Sequence, residues 1–203
     1  MTSYILPKKV IKHPFLTNVY KILIIVYSFY IAFSSQVFAL EADAPLGGQS
    51  FAQLLLDDTA ALERSMRQRE DERIAKIRAY YARYNLPLQH EAEHFVESAD
   101  KYDIDWRLVA AIGFIESTGG KFACKNASYS AFGWGSCQID FDSYAESIDV
   151  ISMNLGGHNP NTARFYEDKT VKQILQAYNP DHIRPGYTKM VMRQMDIIDQ
   201  QEV

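Results

Sequence analysis

Leu108-Val-Ala-Ala-Ile-Gly-Phe-Ile115 is an almost wholly apolar run that passes directly into the turn Glu116-Ser-Thr-Gly-Gly120. An apolar run that ends in a polar, glycine-bearing turn reads as a helix buried on most of its faces, begun by Asp105 as N-cap and stopped by Gly119-Gly120. Glu116 is then an acid held against an apolar wall at the negative end of a helix dipole. Both influences disfavour the charged form of a carboxyl group, which suits a general acid that must keep a proton until it meets a leaving-group oxygen. The competing reading is an ordinary solvated residue in a last helical turn, and the neighbours decide between the two.

Outward from this segment the body of the chain reads as helices, with no convincing alternating strand. The stretch 89–102 places Ala92, Phe95, Val96 and Ala99 inward. Ser143-Tyr-Ala-Glu146 has the form of a capping box and opens a helix with Tyr144, Ile148, Ile151 and Leu155 on one face and Gly156-Gly157 at its end. Segments at 162–168 and 170–178 and a final helix over 187–200 complete an all-α domain at 87–203. Ahead of it, residues 50–86 form a long charged amphipathic helix opened by the capping box Ser50-Phe-Ala-Gln53. Its apolar positions are Leu62, Met66, Ile74, Ile77, Tyr81 and Tyr84, and charged side chains such as Arg67, Glu70, Asp71 and Arg73 fill the other faces. Only the last two turns carry a continuous apolar stripe. They are expected to dock on the domain, while the earlier part projects as a spacer or coiled-coil-like segment able to self-associate. Pro87 ends the helix, because the residue before a proline is disfavoured in the helical region.

Residues 1–39 carry Lys8, Lys9, Lys12 and Lys21, no acid, and the apolar run Ile22–Phe33. This is the pattern of an export signal, with Val37-Phe38-Ala39 as its cleavage site; an uncleaved signal anchor, and so a membrane tether, is the alternative. Either way the body is expected in the secreted or cell-envelope compartment, joined through a linker at 40–49. Beyond residue 39 there remain 17 basic against 25 acidic side chains, a formal charge of −8. An exported chain this acidic is a poor nucleic-acid binder. The two cysteines, Cys124 and Cys137, are read as a disulfide that an oxidising compartment keeps formed.

An ordered set of short motifs surrounds Glu116. Glu116-Ser117, Gly135-Ser-Cys-Gln138-Ile139 and Ala177-Tyr178-Asn179 follow the order found in soluble lytic transglycosylases. Ala131-Phe132-Gly133, Ser143-Tyr-Ala-Glu146-Ser-Ile148, and Tyr178 followed by Pro180 and Tyr187 resemble the endo-β-N-acetylglucosaminidase branch. Over about 95–198 the chain therefore resembles the lysozyme-like superfamily of peptidoglycan-cleaving enzymes, and the longer consecutive matches favour the glucosaminidase-like branch. Two departures bear on the branch: the cysteine loop lengthens the distance from Glu116 to Gln138, and Pro180 replaces the small residue that normally follows Tyr-Asn. The resemblance implies a lysozyme-like helical fold, Glu116 as catalytic acid, and peptidoglycan glycan strands as substrate.

The residue chemistry agrees with that implication. Glycosidic cleavage needs an acid on the bridging oxygen and a group that stabilises the oxocarbenium-like centre, either a second carboxylate or the substrate's own N-acetyl group. Asp140 and Asp142 are the candidates for a second carboxylate, although each is also placed to cap the following helix. Phe132, Trp134, Tyr129, Tyr144 and Tyr178 offer apolar faces for sugar rings, with Tyr144 better explained as core. Ser117, Gln138 and Asn179 complete the candidate substrate-binding set. His90-Glu-Ala-Glu-His94 fits the zinc-protease pattern His-Glu-x-x-His, but its apolar face points away from both histidines and it lacks a third ligand other than Glu116. No metal or organic cofactor is expected.

Overall fold

The computed structural model describes residues 51–203, so the readings of 1–39 as a signal, of 40–49 as a linker and of Ser50 as a cap lie outside the described residues. The described chain is all-helical, without strands. Its helices are α1 (Phe51–Ala82), α2 (Ala92–Tyr102), α3 (Leu108–Ser117), α4 (Tyr144–Leu155), α5 (Ala163–Tyr166), α6 (Val171–Tyr178) and α7 (Tyr187–Asp199), with 3-10 turns at Pro87–Glu91 and Trp134–Cys137. Two compact units divide the chain, Met1–Ala61 and Leu62–Val203. Of the first unit the opening turns of α1 are described, and there Leu54, Leu55 and Leu56 are exposed.

Within Leu62–Val203 the deciding segment, α3, is the axis of the core. Leu108, Val109, Ala110, Ala111, Ile112 and Gly113 are all buried. It packs along α7, where Val191, Met195 and Ile198 are buried, while α2 packs along α4 over Ile148, Ile151 and Leu155. Each large aliphatic side chain so removed from water contributes about 1.5–3 kcal/mol. The small residues of α3 set how closely its neighbours approach. A Cβ added at Gly113 would lie 3.0 Å from the Phe132 ring, 3.1 Å from Leu88 and 3.2 Å from the Tyr81 hydroxyl. Tyr81 in turn donates a buried hydrogen bond of 2.6 Å to the Ala110 carbonyl.

Several boundaries differ from the sequence expectation for identifiable reasons. α1 ends at Ala82 rather than at Pro87, because the N–H groups of both Tyr84 and Leu86 turn back to the Tyr81 carbonyl and Asn85 adopts a left-handed φ of 48°. Tyr84 consequently leaves the stripe and is exposed, and Tyr80 takes a core place beside Ile77 and Tyr81. Pro87 instead opens a 3-10 turn that delays α2 to Ala92. Asp105 does not cap α3: Arg107 is the N-cap, and the Asp105 carboxylate accepts from the Arg107 N–H at 3.0 Å and from its guanidinium at 2.9 and 2.7 Å. At the start of α4, Ser143 accepts from the Glu146 N–H as a capping box requires, but the Glu146 carboxylate accepts from the N–H of Asp142 rather than that of Ser143.

Gly119 is where the turn after α3 is most constrained. Its φ is +61°, and an added Cβ would fall 2.8 Å from Leu86 and 2.9 Å from the Tyr81 ring. Gly119→Ala is therefore expected to lower the unfolding free energy by about 2–3 kcal/mol, through left-handed strain and overpacking together. Urea unfolding measures this, and an unchanged midpoint would contradict the packing described.

Candidate active site

Glu116 stands in the last turn of α3, and the residue after it fixes the exit of the chain. The Ser117 hydroxyl is buried, donates to the Gly113 carbonyl at 3.0 Å and accepts from the Gly120 N–H at 2.9 Å. Thr118 follows in a left-handed conformation, and the Gly119 N–H reaches back to Gly113 at 3.1 Å. With the turn closed on the core side, the Glu116 side chain faces a cavity of about 450 Å³ lined by Phe132, Gly133, Trp134, Gly135, Ser136, Tyr178 and Asn179. That size falls in the range of small-ligand sites.

One wall of the cavity is a segment of unusual backbone. Gly133, Gly135, Ser136 and Cys137 all have positive φ, so the chain coils tightly through the 3-10 turn. Gly133 lies so near the acid that an added Cβ would be 3.6 Å from a Glu116 carboxylate oxygen. Phe132, immediately before it, is buried and meets Phe95 edge-on, anchoring the segment to the core. The far end is tied by the Cys124–Cys137 disulfide, and the carboxylate of Asp140 holds the same loop by accepting from the Ser128 N–H at 2.7 Å.

The other wall is aromatic. Trp134 stacks on Tyr178 with ring centres 5.8 Å apart, and Tyr178 stacks on Tyr187 at 6.2 Å. The Tyr178 hydroxyl donates to the Phe132 carbonyl and so links α6 to the cysteine loop. Burial, with the Glu116 charge adding to it, pushes the phenols of Tyr178 and Tyr187 well above the usual tyrosine range, so both remain neutral O–H donors at neutral pH. The Tyr187 hydroxyl is buried without a partner of hydrogen-bonding geometry, although it is close enough to Glu116 to feel its charge.

A cation meets the acid, although it is not among the residues that line the cavity. Arg184, in the loop between α6 and α7, places Nη1 3.4 Å from each carboxylate oxygen of Glu116. Its guanidinium also lies over the Tyr187 ring, 5.3 Å from the centre.

The structure thus brings together Glu116, Phe132, Trp134, Tyr178 and Asn179 from the sequence-derived set, and leaves others outside. Ser117 closes the helix turn and does not line the cavity. Gln138 is exposed beyond the 3-10 turn, Asp140 braces its loop, and Asp142 is exposed, so neither aspartate lines the cavity beside Glu116. Tyr129 and Tyr144 pack edge to face on each other, also outside the cavity lining. His94 pairs with Glu91 and His90 meets Gln89; among the described residues no three His, Cys, Asp or Glu side chains gather to hold a metal ion. Sequence reasoning passed over Arg184. Arg184 sits in a loop without periodicity, but Tyr187 was already marked by its motif position.

No family model matches the chain, and neither does any curated protein or solved structure. The site is therefore read from its own geometry. Replacing Cys124 and Cys137 by serine is expected to cost about 3 kcal/mol of stability, the usual size for a loop this short. Equal unfolding midpoints for the two proteins would show that the loop is held without the crosslink.

Proposed function

We propose that the chain is an exported, lysozyme-like glycosidase that cleaves the glycan strands of peptidoglycan, with Glu116 as general acid. One observation carries this reading: among the described residues the only acid lining the cavity stands at the end of the buried helix α3 and shares that lining with the aromatic faces of Trp134 and Tyr178. Aromatic faces suit the apolar faces of sugar rings, and the Asn179 side chain suits hydroxyl or N-acetyl groups. The resemblance of Glu116-Ser117, Ala131-Phe132-Gly133 and Ala177-Tyr178-Asn179 to peptidoglycan-cleaving enzymes supports the same reading, and the lysine-rich apolar N-terminus supports export to the cell envelope.

With one acid and no second carboxylate in the lining, the substrate supplies the missing group. Glu116 gives its proton to the bridging oxygen as the C1–O bond breaks. The N-acetyl carbonyl oxygen of the same sugar closes on C1 and takes up the positive charge. Glu116, now a carboxylate, accepts a proton from the water that opens this ring, which gives hydrolysis. The lone acid suits a second reading equally well: attack by the sugar's own C6 hydroxyl leaves a 1,6-anhydro end, as in the lytic transglycosylases.

Digestion of purified peptidoglycan with the full chain beside Glu116→Gln tests the proposal. The substitution is expected to reduce fragment release by about 10²- to 10⁴-fold, the usual contribution of a positioned acid. An N-acetylglucosamine, N-acetylmuramic or anhydro end on the fragments names the branch. Equal release by both proteins would remove Glu116 from its role; binding to wall without release by either would make the chain a non-catalytic wall-binding module.

A further inference from the structure

The cavity's acid is paired in a way that its proposed work does not tolerate. A general acid must hold a proton when the bridging oxygen arrives, whereas the contact of Arg184 with both oxygens of Glu116 is that of a cation with an ionised carboxylate. The pairing is also incomplete. Arg73 grips Asp100 through two nitrogens at 2.7 and 2.8 Å, and Arg107 grips Asp105 through two at 2.9 and 2.7 Å. Arg184 reaches Glu116 through Nη1 alone, at 3.4 Å, so its other guanidinium nitrogens are spare for a better-placed acceptor. Its side chain is 40% exposed against 16% for Glu116, so solvent and solutes reach it more readily than the acid.

The acid is also held from below. The groups facing Glu116 are Arg184 from the loop, Tyr178 from α6 and Tyr187 from α7. Tyr178 is committed to the Phe132 carbonyl, and the buried Tyr187 hydroxyl lies against the Glu116 carboxylate.

We propose that Arg184 is an anion-binding subsite of the groove, which exchanges Glu116 for a carboxylate borne by the sugar next to the scissile bond. This rests on the reading of Glu116 as the acid of a glycosidase. On an N-acetylated glycan strand, the group of that chemistry is the lactyl carboxylate of a muramic-type sugar from which the peptide has been removed. When that carboxylate takes the guanidinium, Glu116 is freed of its counter-ion and faces the bridging oxygen with Tyr187 beneath it. A neutral sugar offers Arg184 nothing better than Glu116, and a ligand shifts such an equilibrium only through its differential affinity for the two states. In a peptide-bearing strand the lactyl group is an amide and carries no charge. The reaction that supplies this substrate is therefore amide hydrolysis that frees the stem peptide.

The test compares the full chain with Arg184→Gln and Arg184→Lys on peptide-free strands, peptide-bearing strands and neutral N-acetylglucosamine oligomers, with binding and cleavage read separately. The unmodified chain is expected to bind peptide-free strands about tenfold more tightly than neutral oligomers, the size of one charge-assisted hydrogen bond. Arg184→Gln should reduce that preference to about twofold or less, with Arg184→Lys in between, and cleavage by the unmodified chain should follow the same preference. Equal binding of charged and neutral strands, or a preference that survives Arg184→Gln, would overturn the subsite whether or not strands are cut. Charge-dependent binding that needs Arg184, without cleavage of any strand, would uphold the subsite and defeat the glycosidase reading instead.

Discussion

The contact between Gly113 and Phe132 is the constraint on which the site depends. Because α3 carries only a hydrogen at position 113, the Phe132 ring, Leu88 and the Tyr81 hydroxyl close on the helix so tightly that an added Cβ would lie 3.0, 3.1 and 3.2 Å from them. Phe132 is thereby locked into the core, and the backbone that follows it is laid beside the carboxylate of Glu116. Everything else in the wall adds to this anchor. The disulfide ties the far end of the turn, Asp140 braces the loop, and the Tyr178 hydroxyl fastens the Phe132 carbonyl to α6. A larger residue at 113 would therefore act on the site through packing alone, without touching the acid.

The acid itself ends a buried helix and meets a cation from a loop. Arg184 lies 3.4 Å from each carboxylate oxygen of Glu116. The guanidinium is more exposed than the acid and engages it through one nitrogen. Placing the counter-ion on a loop rather than on a helix lets the pairing change without disturbing the core.

Much of the helical order was legible in the sequence because periodicity and capping are local. The Thr170–Gln173 pair makes a full capping box for α6, and α7 runs from Tyr187 as its pattern predicts. Ends governed by backbone turns were less legible: nothing in the residue types says that Asn85 turns left-handed and stops α1 before Pro87. At the site, Glu116, Trp134 and Tyr178 were readable from residue type and neighbourhood. Ser117 and Gln138 were drawn in by their motif positions and the two aspartates by proximity in sequence, yet their side chains face the turn, the solvent or the loop. Arg184 was invisible because its partner lies 68 positions away and joins it only through the packing of α3 on α7.

The most direct measurement is a crystal structure of Glu116→Gln with a bound N-acetylated oligosaccharide. The account predicts sugar rings against Trp134 and Tyr178, with the side chain at 116 about 2.6–3.2 Å from a glycosidic oxygen. An oligosaccharide seated elsewhere, or one whose bridging oxygens all stand out of reach of position 116, would contradict it.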